Sequence, residues 1–134
     1  MRFMPQSQTQ GMTSEELQEA FEKPNDIPET LVLLRDVLGL SDPEIGRALA
    51  VNPRSIKRWR TGGAVADEPR EAAYDLARVV AQMAELGLQA TNVHAWLFRR
   101  NRFLGEQRPI DVFAANGFDG VSPAVQAYRE GAYD

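Results

Sequence analysis

The 134-residue chain contains no cysteine. Disulfides, thiol catalysis and every thiolate metal site are therefore excluded, and the composition fits a reducing cytoplasm, where we expect the protein to reside. Histidine is nearly absent as well. The single one, His94, stands between Val93 and Ala95 with no evident nucleophile partner, and reads as a structural residue rather than a base. No Walker loop, dinucleotide fingerprint or metal-spaced ligand set occurs. Carboxylates are plentiful, but most sit in an acidic N-terminal helix or at helix starts, where capping accounts for them. No enzyme activity, catalytic residue, metal or cofactor is expected. No apolar run approaches the roughly 18 residues of a membrane span, so no membrane association is expected either. Residues 1–12 lack the apolar stretch of a signal peptide and read as a disordered lead-in. Strand signals are missing too, with no sustained apolar alternation and no hairpin dipeptide between β-branched runs. The expected fold class is all-α.

Apolar residues make up 43 % of the chain, enough for a real core, and charged residues 25 %. The net charge of −4 argues at first against nucleic acid, but the charge is unevenly spread. Residues 1–30 hold two basic and six acidic side chains, residues 31–63 six basic and three acidic, and residues 64–134 seven basic and ten acidic. Salt screens charges beyond about 8 Å, so the local field of the basic middle segment governs any phosphate contact.

Thr13 and Glu16 form a capping box that opens a short acidic helix ending before Pro24. Pro28 opens a second helix, with Leu31, Leu34 and Leu38 on one face and Gly39 as its stop. Ser41 and Glu44 cap a third helix. Asn52 and Pro53 start a fourth, which Thr61-Gly62-Gly63 ends. A long helix runs from Asp67 to Leu86, with Leu76, Val80, Met83 and Ala84 on one stripe and Gly87 as its stop. Beyond it the pattern is choppy. Thr91 caps a short helix to about Phe98, and Pro109 opens another that ends near Ala115. Asn116-Gly117 reads as a turn, and Ser122-Pro123 opens a last helix ended by Gly131. Three such short helices are expected to pack on the long one rather than to hinge freely.

Residues 42–61 carry the pattern of a helix-turn-helix. Ile45, Leu49, Val51, Ile56 and Trp59 fill the five apolar slots of two helices crossing steeply, and Gly46 lies where those helices come closest. Ala50 occupies the turn, where glycine is more usual. The spacing of Trp59 from Ile56 makes it core rather than a stacking platform for single strands. The second helix is expected to present Arg54, Ser55, Lys57, Arg58 and Arg60 outward. Arg54, Ser55 and Arg58 are the candidates for base edges, and Lys57 and Arg60 for phosphates. Asn52 and the free N–H groups beside it are a further phosphate site. A motif this small usually acts as a two-fold dimer, and the long helix is the expected dimer surface.

The run Trp96-Leu97, Asn101, Leu104-Gly105 and Pro109-Ile110-Asp111-Val112, with Gly131-Ala132-Tyr133 near the end, resembles the toxin-binding domain of the Xre/MbcA/ParS-like antitoxins, the partners of RES-domain toxins. The resemblance covers roughly residues 28–134. It departs from the family in Ile110 for the usual leucine and in Glu106 for a glycine usually found beside Gly105. It implies an Xre-like helix-turn-helix followed by a small helical toxin-binding domain. It also implies a RES-domain toxin that uses NAD, operator DNA, and a homodimer within a larger toxin–antitoxin complex as partners. The segment that would occlude the toxin is Tyr128 to Asp134, where Arg129, Tyr133, Asp134 and a terminal carboxylate would mimic or displace an anionic nucleotide. Arg99, Arg102, Tyr128, Arg129, Gly131, Tyr133 and Asp134 become the toxin-binding candidates.

The residues themselves allow more than one use. Trp96, Leu97 and Leu104 read most simply as core. The cluster Arg99, Arg100 and Arg102 reads as a solvated face, a second phosphate-contacting patch or a surface for an acidic partner. The acidic N-terminal helix could shield a basic surface on a partner or on the chain's own reader. The expected organisation is an N-terminal extension over 1–27, a DNA-binding module over 28–66, and the long helix with the toxin-binding domain over 67–134. The competing functions are a stand-alone regulator whose C-terminal half dimerises or senses a ligand, and an adaptor whose helix-turn-helix has lost DNA binding.

Overall fold

The computed structural model describes residues 12–23 and 25–131. Residues 1–11 of the expected disordered lead-in, Pro24, Ala132, Tyr133 and Asp134 fall outside them, whereas Met12 is partly buried against the core. The described chain is all-helical: α1 (Ser14–Glu22), α2 (Ile27–Asp36), α3 (Asp42–Leu49), α4 (Pro53–Arg60), α5 (Asp67–Glu85), α6 (Ala90–Phe98), a 3₁₀ turn (Arg102–Leu104) and α7 (Pro109–Arg129).

Local chemistry sets most helix starts. The Thr13–Glu16 box opens α1 and the Ser41–Glu44 box opens α3, each with both reciprocal hydrogen bonds. A third box, Asp26 with Glu29, opens α2, so Pro28 lies inside the first turn instead of starting the helix. Beyond Asp36 the chain unwinds through left-handed Gly39 (φ 82°), and the Leu40 N–H folds back to donate 3.0 Å to the Leu34 carbonyl. Helix α6 begins two residues earlier than expected. Gln89 stands at its cap without a side-chain bond, and Thr91 lies inside the first turn.

The larger correction concerns the C-terminal third. The chain does turn at Asn116-Gly117, but helix resumes at once after Gly117, and Ser122-Pro123 does not open the last helix. Helix α7 is a bent rod whose only non-helical residue is Gly117 (φ 70°, ψ −158°). That left-handed conformation costs an L side chain about 1–2 kcal/mol but a glycine almost nothing, so the chain turns there and resumes helix without spacer residues. Phe118, just past the bend, lies beneath the Arg78 guanidinium of α5, 3.7 Å from ring centroid to charge.

One continuous cluster of buried apolar side chains runs from Leu17 to Val125. Helix α5 is its spine. It buries Leu76, Val79, Val80 and Met83 completely and is contacted by α1, α2, α6 and α7. Helix α1 lays Leu17 and Phe21 on this core, mainly against α5. The acidic helix therefore packs away from α4 and does not shield it. Among the described residues no helix is long and apolar enough to cross a membrane.

Candidate functional site

Two surfaces have built geometry. The first is formed by α3 and α4. A methyl group on Gly46 would stand 2.7 Å from the Val51 carbonyl oxygen and 3.4 Å from the Pro53 nitrogen, so only glycine lets the helices approach. The Val51 N–H donates 2.8 Å to the Gly46 carbonyl and closes the turn. Ala50 takes the left-handed conformation (φ 59°) that a glycine would hold without cost. Ile45, Leu49, Ile56 and Trp59 are buried, and Val51 is half-buried. Trp59 is 6 % exposed and cannot stack on a base, and its indole N–H meets no acceptor among the described residues.

Helix α4 presents its cations as expected, with one exception. Asn52, Arg54, Lys57 and Arg58 are exposed and Ser55 is half-buried. The Asn52 side chain accepts the Arg54 N–H at 2.8 Å and caps the helix. Arg60 is the exception. Its side chain is 11 % exposed and donates to both carboxylate oxygens of Asp42, the first residue of α3. This hydrogen-bonded guanidinium holds the Asp42 carboxyl below the usual aspartate range, with Arg35 and Lys57 adding attraction. Arg60 therefore clamps the two helices together and neutralises Asp42. It does not point outward.

The second surface follows α6. Trp96, Leu97 and Leu104 are buried, as core residues should be. Between α6 and α7 the chain is organised by Asn101, which is 3 % exposed. Its side-chain oxygen accepts the Phe103 N–H at 2.9 Å, its carbonyl accepts the N–H groups of Leu104 and Glu106 at 3.0 Å, and its N–H donates to Gln107. Gly105 and Glu106 are consecutive left-handed residues, both at φ 66°. Glu106 thus occupies a conformation that suits glycine. Arg99, Arg100 and Arg102 project from this loop and are exposed.

Arg99 and Tyr128 come together although 29 positions separate them. With Leu86, Leu88, Asn92 and Trp96 they line a pocket of about 340 Å³ where α5 ends and α7 finishes. One residue on, Arg129 lies 3.9 Å from Glu85 of α5, and exposed Gly131 follows at φ 89°. His94 is half-buried with its ring 4.9 Å from that of Phe98. No cluster of metal-ligating side chains occurs among the described residues.

A link between the two surfaces escaped the sequence. Asp111, in the first turn of α7, accepts from Arg108 at 2.8 and 3.3 Å and from Arg47 of α3 at 2.9 Å. The Arg108 hydrogen bonds, then the charges of Arg108 and Arg47, hold its carboxyl below the usual range. In the sequence Asp111 stands out only within the run Pro109-Ile110-Asp111-Val112. In the structure it is the bolt between α3 and the C-terminal half. Arg47 carried no motif, and 64 positions separate it from its partner.

No family model matches the chain. Among curated proteins it is 30 % identical over 97 residues to the mycobacterial cidal antitoxin MbcA of Mycobacterium tuberculosis, a match spanning 72 % of this chain and 85 % of that protein. A probable mycobacterial cidal antitoxin of the same organism is also 30 % identical, over 101 residues, 71 % of this chain and 81 % of its own length. Among solved structures the fold matches a chain in the crystal structure of the M. tuberculosis MbcT–MbcA toxin–antitoxin complex. The TM-score is 0.67 at 28 % identity, over 82 % of this chain and 99 % of that one.

Proposed function

Since the chain belongs to the family of the mycobacterial cidal antitoxin MbcA, we propose that it neutralises a RES-domain, NAD-using toxin by covering the toxin's active-site cleft with its C-terminal region, and that it represses its own operon through α3 and α4. The observation that carries this reading is the likeness to a chain solved within a toxin–antitoxin complex.

The occluding segment is Tyr128 to Asp134. Arg129 and Gly131 extend from the end of α7, and Tyr133 and Asp134 complete the segment beyond the described residues. Asp134 supplies the anion that competes for a site built to hold a nucleotide. The pocket beside this segment takes a side chain from the toxin: its floor is apolar, and Arg99 and Asn92 give it a polar rim. At the other end, Arg54, Ser55 and Arg58 read base edges, while Lys57, Asn52 and the free N–H groups at the start of α4 hold phosphates. Arg60 acts indirectly, through Asp42. Two copies related by a two-fold axis would place two α4 helices in successive major grooves.

Deleting residues 128–134 tests the neutralisation. The truncated chain should fail to rescue growth against a co-encoded RES-type toxin while still shifting DNA from upstream of its own gene. Rescue by the truncated chain would overturn the proposal. For the operator arm, Arg54→Ala with Arg58→Ala should abolish the shift and leave toxin neutralisation intact.

A further inference from the structure

We infer that the loop from Arg100 to Arg108, together with Arg47, is a second DNA-binding surface that grips the sugar–phosphate backbone of duplex flanking the segment read by α4. The inference rests on the proposal that α4 reads DNA and adds to it a contact outside the helix-turn-helix.

Charge is the first argument. Residues 99–108 hold four arginines and one carboxylate, Glu106, in a chain whose net charge is −4. Arg100 is exposed and makes no ion pair among the described residues. The acidic helix α1 packs against α5 and does not offset this charge.

Rigidity is the second. The loop is closed by the hydrogen bonds of buried Asn101 and by the antiparallel bridge between Asn101 and Gln107. Its arginines stand on a fixed scaffold, so a contact costs side-chain entropy but little backbone ordering. Arg102 and Arg108 are steadied further, since their guanidinium groups lie 5.0 Å from the Phe103 ring and 5.6 Å from the Phe98 ring.

Position is the third. Asp111 draws Arg108 and Arg47 to one point. Arg47 follows Gly46, which touches Pro53 at the start of α4. Arg47 therefore stands between the start of α4 and the loop that Arg108 ends. Asp111 pairs with both guanidinium groups and the charge of Glu44 also reaches Arg108, so the cation that this junction offers is the open face of Arg47. Only one nitrogen of Arg47 is used, and 63 % of its side chain is open to solvent. Duplex DNA carries a charge every 1.7 Å or so along its axis, and a row of fixed arginines beside a reader helix suits it. Arg99 faces the pocket with Tyr128 and stays with the toxin.

The test is binding of the full chain to a 30-base-pair duplex from upstream of its gene and to a 12-base-pair duplex from its centre, by fluorescence anisotropy across a potassium chloride series. Each lost phosphate contact lowers the salt slope by about 0.9. On the long duplex, Arg100→Gln should bind more weakly with a slope about 0.9 smaller, Arg100→Lys should restore it, and adding Arg47→Gln should remove about as much again. On the short duplex the Arg100 variants should match the wild type. An unchanged slope on the long duplex overturns the inference. So does loss of capture of the co-encoded toxin by Arg100→Gln with DNA binding intact, which would make the loop a protein-binding surface. If the wild-type chain binds neither duplex, the operator proposal falls with this inference, and toxin neutralisation stands on its own test.

Discussion

The two halves of this molecule are built by different means. The α3–α4 pair is assembled from short-range chemistry. Its caps reach three residues, its apolar positions repeat at helical spacing, and the steric demand at Gly46 comes from residues five and seven positions on. The C-terminal half depends on long-range and single-residue devices: a bend at Gly117, a loop folded around Asn101, and a carboxylate shared with another helix. Local construction leaves a trace in sequence, and long-range construction leaves very little.

Disrupting the core of the first half should have the largest effect. Trp59→Ala removes a buried aromatic between α4 and its neighbours and should cost about 3–5 kcal/mol in chemical denaturation. Trp59→Phe should cost far less, because it keeps most of the ring and discards an indole N–H that meets no acceptor among the described residues. A heavy penalty for phenylalanine would mean that the N–H is bonded after all.

The second half has a polar centre instead. Asn101→Ala strips the acceptor from the Phe103 N–H and should cost roughly 1–3 kcal/mol. If the comparison holds, hydrogen exchange will rise over residues 99–108 and stay unchanged over α3 and α4. Uniform exchange would show that the loop is not a separate unit of stability.

This contrast explains what could be read beforehand. The all-α class, the boxes at Thr13 and Ser41, Gly46, and the burial of Trp59, Trp96 and Leu104 were legible, because each follows from helix capping or periodicity. The Asp26–Glu29 box was equally local and was hidden by a proline that suggested a later start. The role of Arg60 was not legible. Its place at the end of a basic helix argued for a phosphate, and only tertiary structure brings Asp42 within reach from 18 positions away. The turn at Gly117 was legible from Asn-Gly, but the immediate return to helix was not, because the Ser122-Pro123 start signal pointed to a later one and the Phe118 contact with Arg78 of α5 is long-range.

Acid should sharpen the comparison further. Asp42 and Asp111 both titrate below the ordinary aspartate value of 3.8, each because a guanidinium hydrogen-bonds to it. A depressed folded pKa gives stability that is present above the unfolded pKa and lost as pH falls through the folded one. The melting temperature should therefore drop as pH falls below about 4. Asp42→Asn and Asp111→Asn should each flatten part of that drop. Asp111→Asn should also loosen α7 from α3, read as faster exchange at the start of α7. An acid limb unchanged in both variants would assign it to other carboxylates.

The smallest effect treats the two halves alike. Each contains one non-glycine residue in the left-handed region, Ala50 in the turn and Glu106 in the loop. Both are exposed, so a glycine there gives up little packing. It relieves backbone strain of about 1–2 kcal/mol and returns some of that as entropy of the unfolded chain. Ala50→Gly and Glu106→Gly should each raise stability by roughly 0.5–1 kcal/mol. The two differ in one respect. Replacing Glu106 also removes the only carboxylate from the loop over residues 100–108, which carries three arginines. On a long duplex at low salt, Glu106→Gly should bind more tightly than the wild type, whereas Ala50→Gly should bind the same. Equal DNA affinities for the two variants would confine the value of Glu106 to backbone strain and count against the loop as a DNA surface.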